Sequence, residues 1–324
     1  MATPSFDLIA LGEPLIEFNH TRSSGAEYLQ GFGGDTSNCT IAAARLGART
    51  AYITRVGSDT FGRLFLDLWR REGVDTQGVA VDGEAHTGVY FVTHGSEGHE
   101  FSYLRAGSAA SRMRPADLPL GLLGSARALH VSGISQAIST TACDAVFAAI
   151  DAARAAGARI AFDPNLRLKL WPLARARAVI RATIPLCDWF LPSVDEIAQL
   201  SGETDPQAML DWCHALGAPV VALKVGSNGV WVSTEATRLL VPGHQVECVD
   251  ATGAGDCFDG ALIRRLIAGD SPVDAARYAN VAAACKIGGY GAVGPLPRHA
   301  DVAAFMERTA GSAAGSARSA DSAA

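Results

Sequence analysis

The chain has 324 residues, 48% of them hydrophobic and 19% charged, enough for one large domain or two small ones. A formal net charge of −6 argues against a general nucleic-acid or membrane-surface role, since neither partner attracts an acidic protein. No apolar run reaches the length that crosses a bilayer, and Met1-Ala2-Thr3-Pro4-Ser5 lacks a basic start and hydrophobic stretch.

In chain order, a short apolar run at Asp7–Gly12 reads as a strand. Residues 13–32 then lack helical periodicity, and helical patterns follow at 36–47 and 60–73. Residues 86–107 alternate, as in Thr87-Gly88-Val89-Tyr90-Phe91-Val92 and Glu100-Phe101-Ser102-Tyr103-Leu104-Arg105. Together, 13–32 and 86–107 read as antiparallel strands set apart from the main sheet, a small lid. Strands at Ala128–Gly133, Arg159–Asp163 and Val220–Lys224 alternate with helices at 140–157, 173–187 and 206–217. Asp205 is an N-cap acid, and Pro206 occupies the first turn after it. Helices at 255–268 and 273–287 complete the pattern, and the Ala-Gly-Ser tail over 311–324 is expected to be disordered. Near-continuous apolar strands separated by helices predict an α/β fold over residues 1–310, a doubly wound, mostly parallel sheet with helices on both faces. Ligands of such sheets collect beyond the carboxyl ends of the strands, where Asn165, Arg167, Ser193 and Lys224-Val225-Gly226 fall.

The segment Asp250-Ala251-Thr252-Gly253-Ala254-Gly255-Asp256-Cys257-Phe258 carries the most chemistry. Gly253 and Gly255 leave the backbone bare at the start of a helix, where unpaired N–H groups and the dipole favour an anion. Asp256 beside such a hole could accept a proton from a hydroxyl while the Gly253, Ala254 and Gly255 N–H groups stabilise charge moving onto phosphate. Alone, the segment reads equally as a Gly-rich loop with a helix-start acid. Far upstream, Gly33-Gly34-Asp35-Thr36-Ser37-Asn38 opens an Ala-rich helix; its glycines would let a sugar lie against the backbone, and Asn38 offers a donor and acceptors to hydroxyls.

Both segments, in this order and spanning nearly the whole chain, resemble the two signatures of the ribokinase/PfkB family of sugar kinases. The resemblance implies a ribokinase-like fold, ATP and Mg²⁺, with a monovalent cation left open. It also implies a lid that covers the sugar and often pairs with a second subunit's lid. Tyr103-Leu104-Arg105 leading into Gly107-Ser108-Ala109, then Ser132-Gly133-Ile134, then Asp163-Pro164-Asn165-Leu166-Arg167 with Leu170-Trp171, is similar to the 2-keto-3-deoxygluconate kinase branch. Each arginine alone reads as a surface salt bridge. By the resemblance, Gly34, Asn38, Tyr90, Tyr103, Arg105, Arg167 and Asp256 would hold the keto acid. Asn165, Arg167, Ser193, Lys224, Gly226, Ser227, Gly229, Gly253, Ala254, Gly255 and Asn280 would meet the nucleotide. Lys224 also reads as an ordinary strand-end lysine.

Two departures stand out. Ala251 occupies a place where the signature commonly has Thr. Ser193-Val194-Asp195-Glu196 stands where many relatives carry Asn-x-x-Glu; it reads either as a capping box or as an indirect metal site through Glu196. Gly289, Gly291 and Gly294 spell a Gly-x-Gly-x-x-Gly, but it runs into Pro295-Leu296-Pro297 and fails the strand-to-helix context of dinucleotide binding; no P-loop occurs. Seven cysteines at irregular spacing give no disulfide or zinc pattern, which fits a reduced cytoplasm, and His94, His99, His130 and His244 fit no ligand spacing. The expectation is an ATP-dependent sugar-acid kinase acting on a terminal hydroxyl. A neutral-sugar kinase for fructose or ribose, and a non-catalytic sugar-acid sensor, remain open, as does the C4 configuration of the acid.

Overall fold

The computed structural model describes residues 4–20, 27–95 and 98–309; the tail over 311–324 lies outside them. The first strands are β1 (Phe6–Leu11), β2 (Leu15–His20), β3 (Tyr28–Gly33), β4 (Thr50–Gly57), β5 (Val74–Asp75), β6 (Val79–Asp82), β7 (Gly88–Gly95) and β8 (Gly98–Leu104). The second half contributes β9 (Ala126–Ser132), β10 (Arg159–Asp163), β11 (Trp189–Phe190), β12 (Val220–Lys224), β13 (Gly229–Ser233) and β14 (Arg238–Pro242). Helices α1 (Asp35–Arg45), α2 (Thr60–Arg71), α3 (Leu120–Leu123), α4 (Gly133–Ala137) and α5 (Thr140–Ala155) fall in the first half. They are followed by α6 (Leu173–Thr183), α7 (Val194–Ser201), α8 (Pro206–Ala215), α9 (Ala254–Ala268), α10 (Pro272–Lys286) and a last helix at 299–309.

The main sheet runs β14-β13-β12-β11-β10-β9-β1-β4-β5, with β6 also on β4. It is parallel from β12 to β5 and is extended by the antiparallel strands β13 and β14. Alternate residues of its strands divide the core. Ile9, Leu11, Leu129, Val131, Ile160 and Phe162 fill one face against α5, α6 and α8. On the other face the central strands present Ala10, Ala128, Ala161 and Ala222. These small residues let α1 and α9 settle close to the sheet's middle, which brings their N-termini to its carboxyl edge. Helix α6 ends four residues before its expected limit of 187. Pro185 has no N–H for the next helical bond, and a tight turn over 184–186 replaces it.

The two lid segments form a separate sheet, ordered β3-β2-β7-β8. Each hairpin is antiparallel as expected, but the two are joined by a parallel pair, β2 with β7. Both hairpins leave the carboxyl edge of the parallel sheet, so their first strands run in the same direction.

Helix α9 meets α1 at Gly260, where a Cβ would stand 2.5 Å from the Cys39 carbonyl oxygen and 3.0 Å from Ala42. Only glycine permits that approach. Gly260→Ala should therefore destabilise the protein by about 1–3 kcal/mol, the usual cost of overpacking. Urea unfolding checks the stability, and turnover should fall as α9 is pushed off α1.

Candidate active site

The floor of the site is the buried end of the sheet. The Lys224 ammonium, at the end of β12, donates to both oxygens of Asp259 (3.1 and 3.2 Å) and to Asp163 at the end of β10 (3.4 Å). Burial and the adjacent Asp163 push the Asp259 carboxyl well above its ordinary pKa. Asp163 is buried too, yet Lys224 and a hydrogen bond from Asp259 hold it below the ordinary range. Burial would lower the Lys224 pKa, but the two aspartates raise it. Two carboxylates crowding one cation have their pKa values driven apart in this way. Lys224 lies directly under the glycine turn, its ammonium 3.8 Å from where a Cβ on Gly255 would be.

Above that floor, Asp256 occupies the first turn of α9 and accepts from the Asn38 amide across the helix contact (2.8 Å). Its pKa is pushed up to about 7 by burial first and then by Asp35, with Asn38 and Lys224 opposing. A carboxylate poised there can take a proton near neutral pH. Gly253 caps α9 in the left-handed region (φ 78°), which turns the backbone so that the helix begins abruptly. The Ala254 N–H, expected to serve an anion, instead donates to the Ala251 carbonyl (3.0 Å). The N–H groups of its neighbours Gly253 and Gly255 are the ones left to meet an anion there.

Gly34 caps α1 with φ 106°, and Asp35 and Asn38 follow one turn apart on the same helix. The Asn165 amide donates to Asp35 (2.9 Å), and Asn165 itself takes a positive φ of 31°. Asp35 Oδ1 and Asn38 Oδ1 are buried with no protein donor. Buried acceptors in that state are sites for a ligand's hydroxyls. Asp35 and Asp259 were not singled out in the sequence. Their signal was there: Asp35 lies one turn before Asn38, and Asp259 one turn after Asp256.

The lid adds a second charge cluster, also unread in the sequence. Arg105 does not stand free over the site; its guanidinium is buried and pairs with Glu13, the residue two beyond β1. The Ser108 hydroxyl donates to the same carboxylate (2.7 Å). The Tyr90 hydroxyl donates to Glu17, and its ring stacks on Tyr103 at 5.9 Å, over which Arg105 also lies. Two glutamates within the apolar stretch Leu11-Gly12-Glu13-Pro14-Leu15-Ile16-Glu17-Phe18 are the pattern that could have revealed them. Arg167 is exposed, and its guanidinium donates only to the Leu166 carbonyl among the described residues.

Where the nucleotide is expected, Ser193 caps α7 and Glu196 closes the capping box. Both Glu196 oxygens accept backbone N–H groups, of Leu166 and of Ser193 (2.8 Å each), so this side chain fastens the loop after β10 to α7. Gly226, Ser227 and Asn228 form a tight turn leading into Gly229. The Asn280 amide, expected near adenine, donates to the Val241 and Pro242 carbonyls (3.1 and 3.0 Å) and anchors the end of β14. Among the described residues no group of three His, Cys, Asp or Glu side chains is arranged to hold a metal.

The model of the pfkB family carbohydrate kinases matches residues 5–299. The chain belongs to that family. It is 32% identical to 2-dehydro-3-deoxygluconokinase of Bacillus subtilis, covering 93% of this chain and 95% of that one. It is 33% identical to fructokinase-1 of rice, over 95% of this chain and 99% of the other. Among solved structures, fructokinase from Vibrio cholerae with fructose, ADP and calcium ion bound has a TM-score of 0.84 at 29% identity. It covers 92% of this chain and 98% of that chain. Aminoimidazole riboside kinase from Salmonella enterica, complexed with aminoimidazole riboside and an ATP analogue, also has a TM-score of 0.84, at 26% identity, covering 93% and 99%. The kinase is thus an ATP-dependent carbohydrate phosphotransferase with a ribokinase-like fold, and no described helix is long and apolar enough to cross a membrane.

Because the Arg105–Glu13 pair is buried, Arg105→Ala should destabilise this kinase on the order of 3–5 kcal/mol by leaving Glu13 uncompensated. Combining it with Glu13→Gln should recover much of that loss. Urea unfolding of the two variants measures both effects.

Proposed function

We propose that the kinase transfers the γ-phosphate of ATP to the terminal hydroxyl of a keto-deoxy sugar acid, 2-keto-3-deoxygluconate or its C4 epimer. The observation that carries the transfer chemistry is Asp256, poised near neutrality beside the glycine turn. Asp256 takes the hydroxyl proton as the oxygen attacks phosphorus, and ADP departs. The Gly253 and Gly255 N–H groups, with the positive end of α9, meet the charge on the transferring group. Mg²⁺ would neutralise phosphate charge and ride on the nucleotide, since Glu196 spends both oxygens on backbone donors. Gly34, Asn38 and Asp35 hold the sugar hydroxyls. Tyr90, Tyr103, Arg105 and Arg167 gather at its acid end. Lys224, Ser193, Asn165 and the Gly226–Gly229 turn border the phosphates, and Asn280 acts by holding β14 beside the base.

A neutral hexose is the second reading, and Glu13 favours it. By neutralising Arg105 it leaves a pocket of carboxylates and unpartnered acceptors that suits hydroxyl donors. The lid also exposes Leu29 (68%), Leu104 (60%) and Tyr103 (37%), apolar surface that a second copy's lid would cover. Seven unpaired cysteines fit a reducing compartment such as the cytoplasm.

Asp256→Asn keeps the shape and removes the base, so turnover should fall roughly 10²–10⁴-fold. In the parent, kcat/KM should rise with pH through about 7 as Asp256 loses its proton. A carboxyl whose folded pKa is raised costs stability as pH climbs from the unfolded value through the folded one. Asp256→Asn should therefore raise Tm, most clearly above pH 7, and near-normal turnover in that variant would overturn the mechanism.

Substrate class is read from kcat/KM on 2-keto-3-deoxygluconate, its C4 epimer, fructose and ribose. Arg167, being exposed, is the cleaner probe of the acid. Losing one charge-assisted hydrogen bond, about 1.5–3 kcal/mol, should cost Arg167→Ala tenfold to a hundredfold more on the acid than on fructose, the fructose value reporting any part Arg167 has at the nucleotide. Equal use of fructose by the parent would establish the neutral-sugar reading instead.

A further inference from the structure

Lys286, at the last position of α10, is a charged side chain that the chemistry above leaves unused, and it is fully buried (0% exposed). Its ammonium donates to a main-chain oxygen, the carbonyl of Asp250, at 2.7 Å. An unpaired ammonium in a protein interior is costly, so its presence calls for a role. Its surroundings suggest one. The strap over 249–252 leads straight into the glycine turn and is fastened to the segment after α10 at several points. The Val249 and Asp250 N–H groups donate to the Ile287 carbonyl (2.8 and 3.2 Å). The Gly291 N–H donates to one Asp250 carboxylate oxygen (2.8 Å), and the Thr252 N–H to the other (2.9 Å). Lys286 supplies a further fastening, from α10 itself, and it is the cationic one among them. Burial pulls its pKa below the ordinary lysine value, while Asp250 and Asp256 oppose that shift.

We propose that Lys286 is a positioning residue for phosphoryl transfer, a built-in cation that fixes the Asp250 carbonyl and so holds the strap and the Gly253–Gly255 donors in place. A free monovalent ion bound by main-chain oxygens would do the same work, but the ammonium is tethered and cannot dissociate. It also puts a positive charge behind a turn that must meet a phosphate, in surroundings that screen it little. Lys286, Asp250 and Ile287 are not among the residues assigned above to the sugar or the base, so the effect belongs to turnover. The proposal rests on the reading of the glycine turn as the anion hole.

The experiment replaces Lys286 with Met, which keeps the volume and removes the charge, and with Ala, which opens a cavity. Replacing a buried charge by an apolar isostere is often neutral or stabilising. Lys286→Met should therefore melt no lower than the parent, yet lose tenfold or more in kcat with the sugar KM within twofold. In Lys286→Ala, added methylammonium or ammonium chloride should restore a measurable part of kcat, while tetramethylammonium chloride at equal ionic strength should not. A Lys286→Met enzyme with parental kcat overturns the proposal, as does a loss of stability with parental turnover per folded molecule. Failure of both ammonium ions to act where tetramethylammonium also fails overturns the charge's role. Asp256→Asn assayed alongside keeps the two readings apart. If it is inactive while Lys286→Met is active, only the role of Lys286 falls; if it too is active, the anion-hole reading falls with it.

Discussion

The contact between α1 and α9 at Gly260 is the constraint on which the site depends. Two helices separated by most of the chain press backbone to backbone there, over a row of alanines in the sheet beneath. Their N-termini consequently arrive at the same edge, and Asn38 reaches Asp256 across 218 residues of sequence. A bulkier residue at any of these positions would leave each helix intact and separate the two halves of the chemistry. The packing term is local, yet it decides whether Asn38 and Asp256 can meet at one edge of the sheet.

Charge is the second organising term, and it works against stability. Asp163, Asp256 and Asp259 converge with Lys224 as the nearby cation, and their carboxyls are driven away from the ordinary value in different directions. The fold resolves the crowding by giving the groups different tasks. Asp163 is held below the ordinary range beside Lys224, Asp259 is pushed well above it, and Asp256 is left near neutrality, where a carboxylate can exchange a proton. Burying carboxylates side by side costs stability that neutral replacements of the same shape would recover.

Much of this was legible in the sequence. The apolar runs at 7–12, 128–133, 159–163 and 220–224 are strands of the main sheet, and the seven expected helices are present within a few residues of their limits. They could be read because buried parallel strands and amphipathic helices write their periods locally. Both hairpins of the lid announced themselves by alternation. Their parallel junction did not, because nothing near β2 encodes a partner some seventy residues away. The same distance problem hid the Arg105–Glu13 pair, 92 residues apart. Arg105 was visible as a cation and Glu13 only as an acid in an apolar run. Asn280, which the resemblance places near adenine, also holds the end of β14 through its amide, a tertiary bond that its sequence neighbours do not encode.

Glu13 has a consequence for selectivity. Its carboxylate already sits on the guanidinium that a sugar acid would seek, so the protein carries an internal mimic of the charged end of such a ligand. If the acid is bound through Arg105 as proposed, it must either share that guanidinium or evict a resident tethered at high effective concentration, whereas an uncharged sugar faces no such rival. Discrimination between the two is then a matter of exchange, in which the ligand gains only the difference between its own hold on Arg105 and Glu13's. A side chain that never touches the reacting atoms could in this way set the threshold for admission.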